Sequence, residues 1–102
     1  MTKIKLSAQA KRDIQEIEAY ITNELHNSQA AKATVSRITK RIGSLAELPE
    51  IGAPLSSKII FKTDLRFLVC GNYVAFYQYK NDLVYVVRVL YGGRDFTKIL
   101  FK

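Results

Sequence analysis

Three cations cluster around the end of one strand-forming run. Arg88 lies inside the run, Arg94 just past it and Lys98 four residues further on. Tyr91, the pair Gly92-Gly93 and the carboxylate Asp95 stand between them. A basic cluster at a strand end points to contact with something anionic. Arg88 sits among apolar residues, so its charge must be paired or face a site. Asp64, Asp82 and Asp95 are the candidate carboxylates for that pair, with contact to a partner as the alternative. Arg66 opens an alternating stretch and reads either as an edge charge that discourages strand pairing or as a partner contact. Asp95 could accept a proton, but beside Arg94 it reads as an ion-pair partner or a cap for the last turn. His26 lies in a predicted turn, far along the chain from the cations, and reads as a solvated turn residue rather than a general base. No Cys/His spacing suggests a metal, no Gly-rich loop suggests a nucleotide, and no Ser/His/Asp set is assembled, so no cofactor is expected.

The elements that must position these groups follow from hydrophobic periodicity. Leu83 to Tyr91 is rich in β-branched and aromatic residues, holds no Pro or Gly, and predicts a central strand that the glycine pair ends. Leu65 to Cys70 and Tyr73 to Lys80 predict two more strands, with tight turns at Gly71-Asn72 and Asn81-Asp82. Lys3 to Leu6 alternates and predicts a short first strand. Ser7 is placed as an N-cap for a helix of about five turns. Its apolar face is Ala10, Ile14, Ile17, Ile21 and Leu25, with Lys11, Arg12, Asp13, Glu16 and Glu24 on the solvent side. Asn27 or Ser28 would cap a second helix, apolar at Ala31, Val35, Ile38, Ile42 and Leu45. A connection this short predicts an antiparallel helical hairpin, which Leu48-Pro49 ends. Residues 50–58 read as a loop, and Ile59 to Lys62 as a short irregular or extended piece.

The predicted architecture is therefore α+β, in the order β-α-α-β-β-β, with the helical hairpin on one face of a small, mainly antiparallel sheet. The other face is expected to keep Tyr and Arg side chains and to serve as a binding surface. Residues 1–102 are read as one domain, large enough for a single core. No apolar run approaches the roughly 18 residues of a membrane span. The N-terminal residues lack the apolar core of a signal peptide. Cys70, the only cysteine, reads as a small buried hydrophobe. These features predict a cytoplasmic protein without membrane contact. Net charge is +7, and residues 51–102 carry eight basic against three acidic side chains, where residues 1–50 carry eight against six. Such a surface favours nucleic acid or an acidic protein partner.

LSAQAKRDIQEIEAYI, SLAELPEIGAPL and above all LRFLVCGNYVAFYQYKNDLVYVVRVLYGGRDFTKIL resemble, in order and spacing, the RelE/ParE toxins of bacterial type II toxin–antitoxin modules. The resemblance implies a growth-inhibiting toxin neutralised by a cognate antitoxin with an acidic and apolar C-terminal segment. ParE-like members poison DNA gyrase without established catalytic residues, whereas RelE-like members cleave messenger RNA on the ribosome. Cleavage needs cations to hold the scissile phosphate, with a proton donor and acceptor beside them. A RelE-type nuclease here would use Arg94, Arg66, Lys98 and Tyr91. Arg94 in YGGRD matches an arginine of those members. Their Gly-Tyr-Arg matches Asn72-Tyr73-Val74, and the catalytic tyrosine of their tail falls near Leu100. Both departures favour the ParE-like reading, in which Arg88, Arg94, Phe96 and Lys98 contact the partner. A basic binding module without activity is the third reading.

Overall fold

The computed structural model describes residues 2–58 and 62–101. Of the piece expected at Ile59 to Lys62, only Lys62 lies among them, outside regular structure. The elements follow in the order β1 (Lys3–Leu6), α1 (Ala8–Asn23), α2 (Ser28–Gly43), β2 (Ala53–Pro54), β3 (Arg66–Cys70), β4 (Tyr73–Lys80), β5 (Leu83–Tyr91) and α3 (Phe96–Leu100). The sheet runs β1-β5-β4-β3-β2, with β1 parallel to β5 and the other pairs antiparallel. The expected α+β order is present, with two additions. A two-residue β2 pairs with β3, and the apolar tail folds into α3.

Local chemistry sets the boundaries. Ser7 Oγ accepts from Ala10 N–H at 2.9 Å, capping α1, and donates to Val87 O at 2.8 Å. Asn27 Oδ1 accepts from Ala30 N–H at 2.9 Å and caps α2. Helix α1 stops at Asn23, so Leu25 is not part of its apolar face and stands 57% exposed. Gly71 (φ 64°) turns β3 into β4, and Asn81 and Asp82 (φ 52° and 59°) turn β4 into β5. Two consecutive positive φ values are the primed geometry that matches strand twist.

Apolar clusters form on both faces of the sheet. On the helix side Ala10, Ile38, Ile42 and Leu45 join Leu68, Ala75, Tyr77, Val84, Val86 and Val89. On the back, Leu55, Leu65, Phe76 and Leu90 form a second cluster with Phe67, Val74, Val87 and the side chains of α3. The ring of Phe96 lies 5.2 Å from that of Phe76. The back face is therefore not the open Tyr and Arg surface that was expected. Phe67, Val74 and Phe76 make it apolar, and α3 covers part of it. A bulge contributes to the same outcome. Phe76 faces Arg88 while Tyr77 faces Val86, which leaves Val87 as an extra residue in β5. Alternation breaks there, placing Val86 and Val89 on the helix side but Val87 and Leu90 on the back.

The loop before β2 is pinned from inside. Fully buried Tyr77 donates its hydroxyl to Pro49 O at 2.8 Å and accepts from Gly52 N–H at 3.0 Å. A Cβ on Gly52 would lie 2.5 Å from that hydroxyl and 2.8 Å from Phe67 O, so only glycine admits the contact. Tyr77→Phe leaves both loop groups without their partner and is expected to cost about 1–3 kcal/mol. Urea unfolding measures this, and an unchanged midpoint would mean the loop is held by other contacts.

Candidate functional site at the end of the sheet

Where β5 ends, the chain turns tightly. Gly92 N–H donates to Asn72 O at 2.9 Å, and Arg94 N–H donates to Tyr91 O at 3.1 Å. Gly93 is needed for room, since a Cβ there would stand 2.8 Å from the Tyr91 ring. Tyr91 is 54% exposed and packs edge-on against Tyr73, with centroids 5.9 Å apart and planes at 74°. Its ring divides two clefts. One, of about 230 Å³, lies on the back between Phe67, Val74, Phe76 and Phe96. The other, of about 340 Å³, lies between α1 and β5 and is lined by Glu16, Ile17, Tyr20, Tyr73, Leu90 and Arg94 among others.

The predicted site residues do not form one cluster. Tyr91, Arg94, Phe96 and Lys98 share this end of the sheet, and Arg94 and Lys98 are exposed. Arg94 has no side-chain hydrogen bond or ion pair among the described residues. Arg66 lies elsewhere. It pairs with Tyr77, four positions along β4 from Tyr73, which faces Tyr91; that is about 13 Å of strand. Nor is Arg66 an edge charge, because β2 covers it. Its Nη1 donates to Gly52 O at 2.7 Å and Glu50 O at 3.3 Å, holding the same loop as Tyr77.

Arg88 is paired with Asp13 rather than with Asp64, Asp82 or Asp95. Its Nε and Nη2 donate to Asp13 at 2.8 and 2.9 Å. Asp64 instead pairs with Lys80, and Asp95 accepts from the Thr97 hydroxyl at 2.7 Å. Asp13 was expected on the solvent side of α1 but is 4% exposed. The reason is the sheet edge. Strand β1 pairs with β5 only as far as Val86. Beyond it Ser7 takes up Val87 O, and Asp13 Oδ2 accepts from Val89 N–H at 3.0 Å. The side chains of the cap Ser7 and of Asp13 in α1 thus complete the ladder that β1 leaves open.

Electrostatics here favours binding over proton transfer. Burial raises the Asp13 pKa, but bonds from Arg88, Val89 N–H and Gln9, with the charge of Arg88, outweigh it and hold the carboxyl below its usual value. Asp95 is lowered as well, first by the Thr97 hydroxyl and, despite some desolvation, by Lys98. Carboxylates held this acidic are poor general bases at neutral pH. Burial, then the neighbouring Tyr20 and Tyr91, raise Tyr73 above the usual phenol value, so it remains a donor. The sequence reading missed Tyr20, Tyr73 and Glu16 as cleft residues. A signal was present, because Asp13, Glu16, Ile17 and Tyr20 recur at the spacing of one helical stripe.

Comparison with known proteins agrees with this architecture. No curated protein matches the chain. A solved structure of the chromosomal ParDE toxin–antitoxin system from P. aeruginosa is similar over 89% of this chain and 96% of its own, at 19% identity and a TM-score of 0.75. The intact RelBE toxin–antitoxin complex of E. coli contains a chain similar over 92% of this one and 100% of its own, at 16% identity and a TM-score of 0.58. Both show the same fold. The family described as the ParE toxin of the type II toxin–antitoxin system parDE matches residues 4–96. With nearly the whole sheet and both long helices inside that match, the chain belongs to the ParE toxin family.

Proposed function

We infer that this ParE-type toxin inhibits growth by binding and poisoning DNA gyrase in the cytoplasm, and that a cognate antitoxin neutralises it. The observation that carries docking over cutting is the dispersal of the nuclease set. Arg66 is held by loop carbonyls about 13 Å of strand away from Tyr91. What remains at the strand end is exposed Arg94 and Lys98 beside Tyr91 and Phe96, a mixture of charge and ring suited to a protein contact. The two solved neighbours come from toxin–antitoxin systems, which supports an antitoxin partner here. An acidic and apolar segment would find an apolar cleft on the back beside these cations.

Purified protein assayed on gyrase and on translating ribosomes in parallel tests this. Loss of supercoiling with trapped gyrase–DNA cleavage is the expected result. Codon-positioned cuts in ribosome-bound message, with gyrase unaffected, would establish the RelE-type nuclease instead. Neither effect, with antitoxin still bound, would leave a basic binding module. Arg94→Ala is expected to weaken gyrase inhibition at least about 10-fold, near 1.4 kcal/mol, with the melting temperature unchanged. A variant that kills as well as the parent would remove the strand end from the working surface.

A further inference from the structure

We propose that the outward face of α2 docks the phosphate backbone of duplex DNA. From Asn27 to Ala46 the chain carries Lys32, Arg37, Lys40 and Arg41 and no acidic residue. The acidic residues of the first half of the chain lie on either side of that stretch. All four cations are exposed: Lys40 lies opposite the buried Ala31, Ile38 and Ile42, Arg37 beside it, and Lys32 and Arg41 at the two flanks of the outward face. None forms an ion pair among the described residues. Arg37 and Arg41 are four residues apart, and Arg37 and Lys40 three, spacings at which like charges repel and weaken a helix. Solubility alone would be served as well by alternating signs. An all-cationic face that the free protein leaves uncompensated is complementary to a polyanion.

The surface continues beyond the helix. Arg41 Nε donates to Val69 O at 3.0 Å, and Arg37 Cδ would lie 3.2 Å from a Cβ on Gly71. Arg41 therefore reaches the end of β3, and Arg37 the β3–β4 turn. On its other side the turn holds Gly92 through Asn72 O, two residues before Arg94. The turn thus lies between the arginines of α2 and Arg94.

The side chains of α2 select the kind of polyanion. Among its exposed residues Ala33 is the only one with an apolar side chain, so the face lacks the aromatic and aliphatic anchors of a protein interface. It also lacks the rings on which single-stranded bases stack. Exposed Ser36, in the row Lys32–Ser36–Lys40, adds a hydroxyl of the kind that contacts phosphate oxygens. Lys32, Ser36 and Lys40 follow one another along about 12 Å of helix axis, so that row can track a line of phosphates.

Fluorescence anisotropy of the full chain with a labelled 20-base-pair DNA duplex tests the proposal across a salt series. Affinity is expected to fall steeply with salt. Arg37→Gln with Lys40→Gln should weaken binding at least about 10-fold at low salt and make the slope of log affinity against log salt shallower by about 2. Its melting temperature should not drop, because a like-charge contact is relieved. Lys11→Gln with Arg12→Gln removes the same charge from α1 and should change affinity no more than about two-fold. Equal losses in the two variants would reduce the effect to net charge and overturn the proposal, as would absence of salt-dependent binding. Binding of a polyglutamate peptide as tight as that of DNA, through the same residues, would assign the face to an acidic protein instead. Gyrase takes no part in these measurements, so the inference stands or falls apart from the preceding one.

Discussion

Asp13→Ala is expected to lower the unfolding free energy by about 3 kcal/mol, because it leaves a partly buried guanidinium without its counter-ion. Arg88 loses two bonds, Val89 N–H loses its acceptor, and Gln9 Nε2 loses a fourth contact at 3.1 Å. The edge of β5 beyond Val86 has no strand to replace them. The fall in melting temperature should exceed about 10 °C for a chain of this size. Asp13→Asn separates shape from charge. It can still accept from one donor, so its loss should be smaller but clear. A wild-type melting temperature in both variants would mean that the edge is closed by Ser7 alone.

The pH dependence of the same pair has a definite sign. The folded-state pKa of Asp13 is lowered, so its contribution is complete above the unfolded value, about 3.9. It is lost as pH falls through the lower folded value. Wild type and Asp13→Asn should therefore differ most in stability near neutrality and converge as the medium becomes strongly acidic. Asp64 and Asp95 are also lowered, but they titrate alike in both proteins and cancel in the difference. A gap that stays constant into acid would show that the carboxylate charge contributes nothing.

The long periodic segments were legible because one physical rule governs each. Ser7 and Asn27 cap where short polar side chains precede an apolar stripe, and Leu83–Tyr91 is the strand its composition predicts. Arg88 and Asp13 were half legible. A charge inside an apolar run had to be paired, but its partner lies 75 residues earlier, and nothing local marks that carboxylate. The bulge at Val87 was illegible, since alternation assumes a regular ladder and an extra residue silently exchanges the faces beyond it. The same limit applies to α3, whose five residues are too few for periodicity to distinguish from an extended tail. At the site, sequence brought Tyr91, Arg94 and Lys98 together because they are neighbours along the chain. It could not separate Arg66 from them, because that distance is set by the ladder register.

Ile38→Ala is expected to cost about 2–5 kcal/mol, and Ile17→Ala much less, about 1–2 kcal/mol. Sequence periodicity treats the two alike, as apolar positions on one helix face each. The structure distinguishes them. Ile38 is fully buried at the centre of the helix-side cluster, where removing three carbons leaves a cavity that neighbouring side chains cannot fill. Ile17 packs only partly against that cluster, and its remaining surface lines the cleft beside Tyr20, Tyr73 and Arg94. Water can occupy the space that Ile17→Ala opens, so the cavity part of the cost largely disappears. Urea unfolding of both variants measures the contrast. Equal losses would mean that α1 is seated more deeply on the sheet and that the cleft is closed in solution. A smaller loss for Ile38→Ala would mean that α2 docks through another face, which would also turn Lys32, Arg37 and Lys40 away from solvent and remove the basis for DNA binding there.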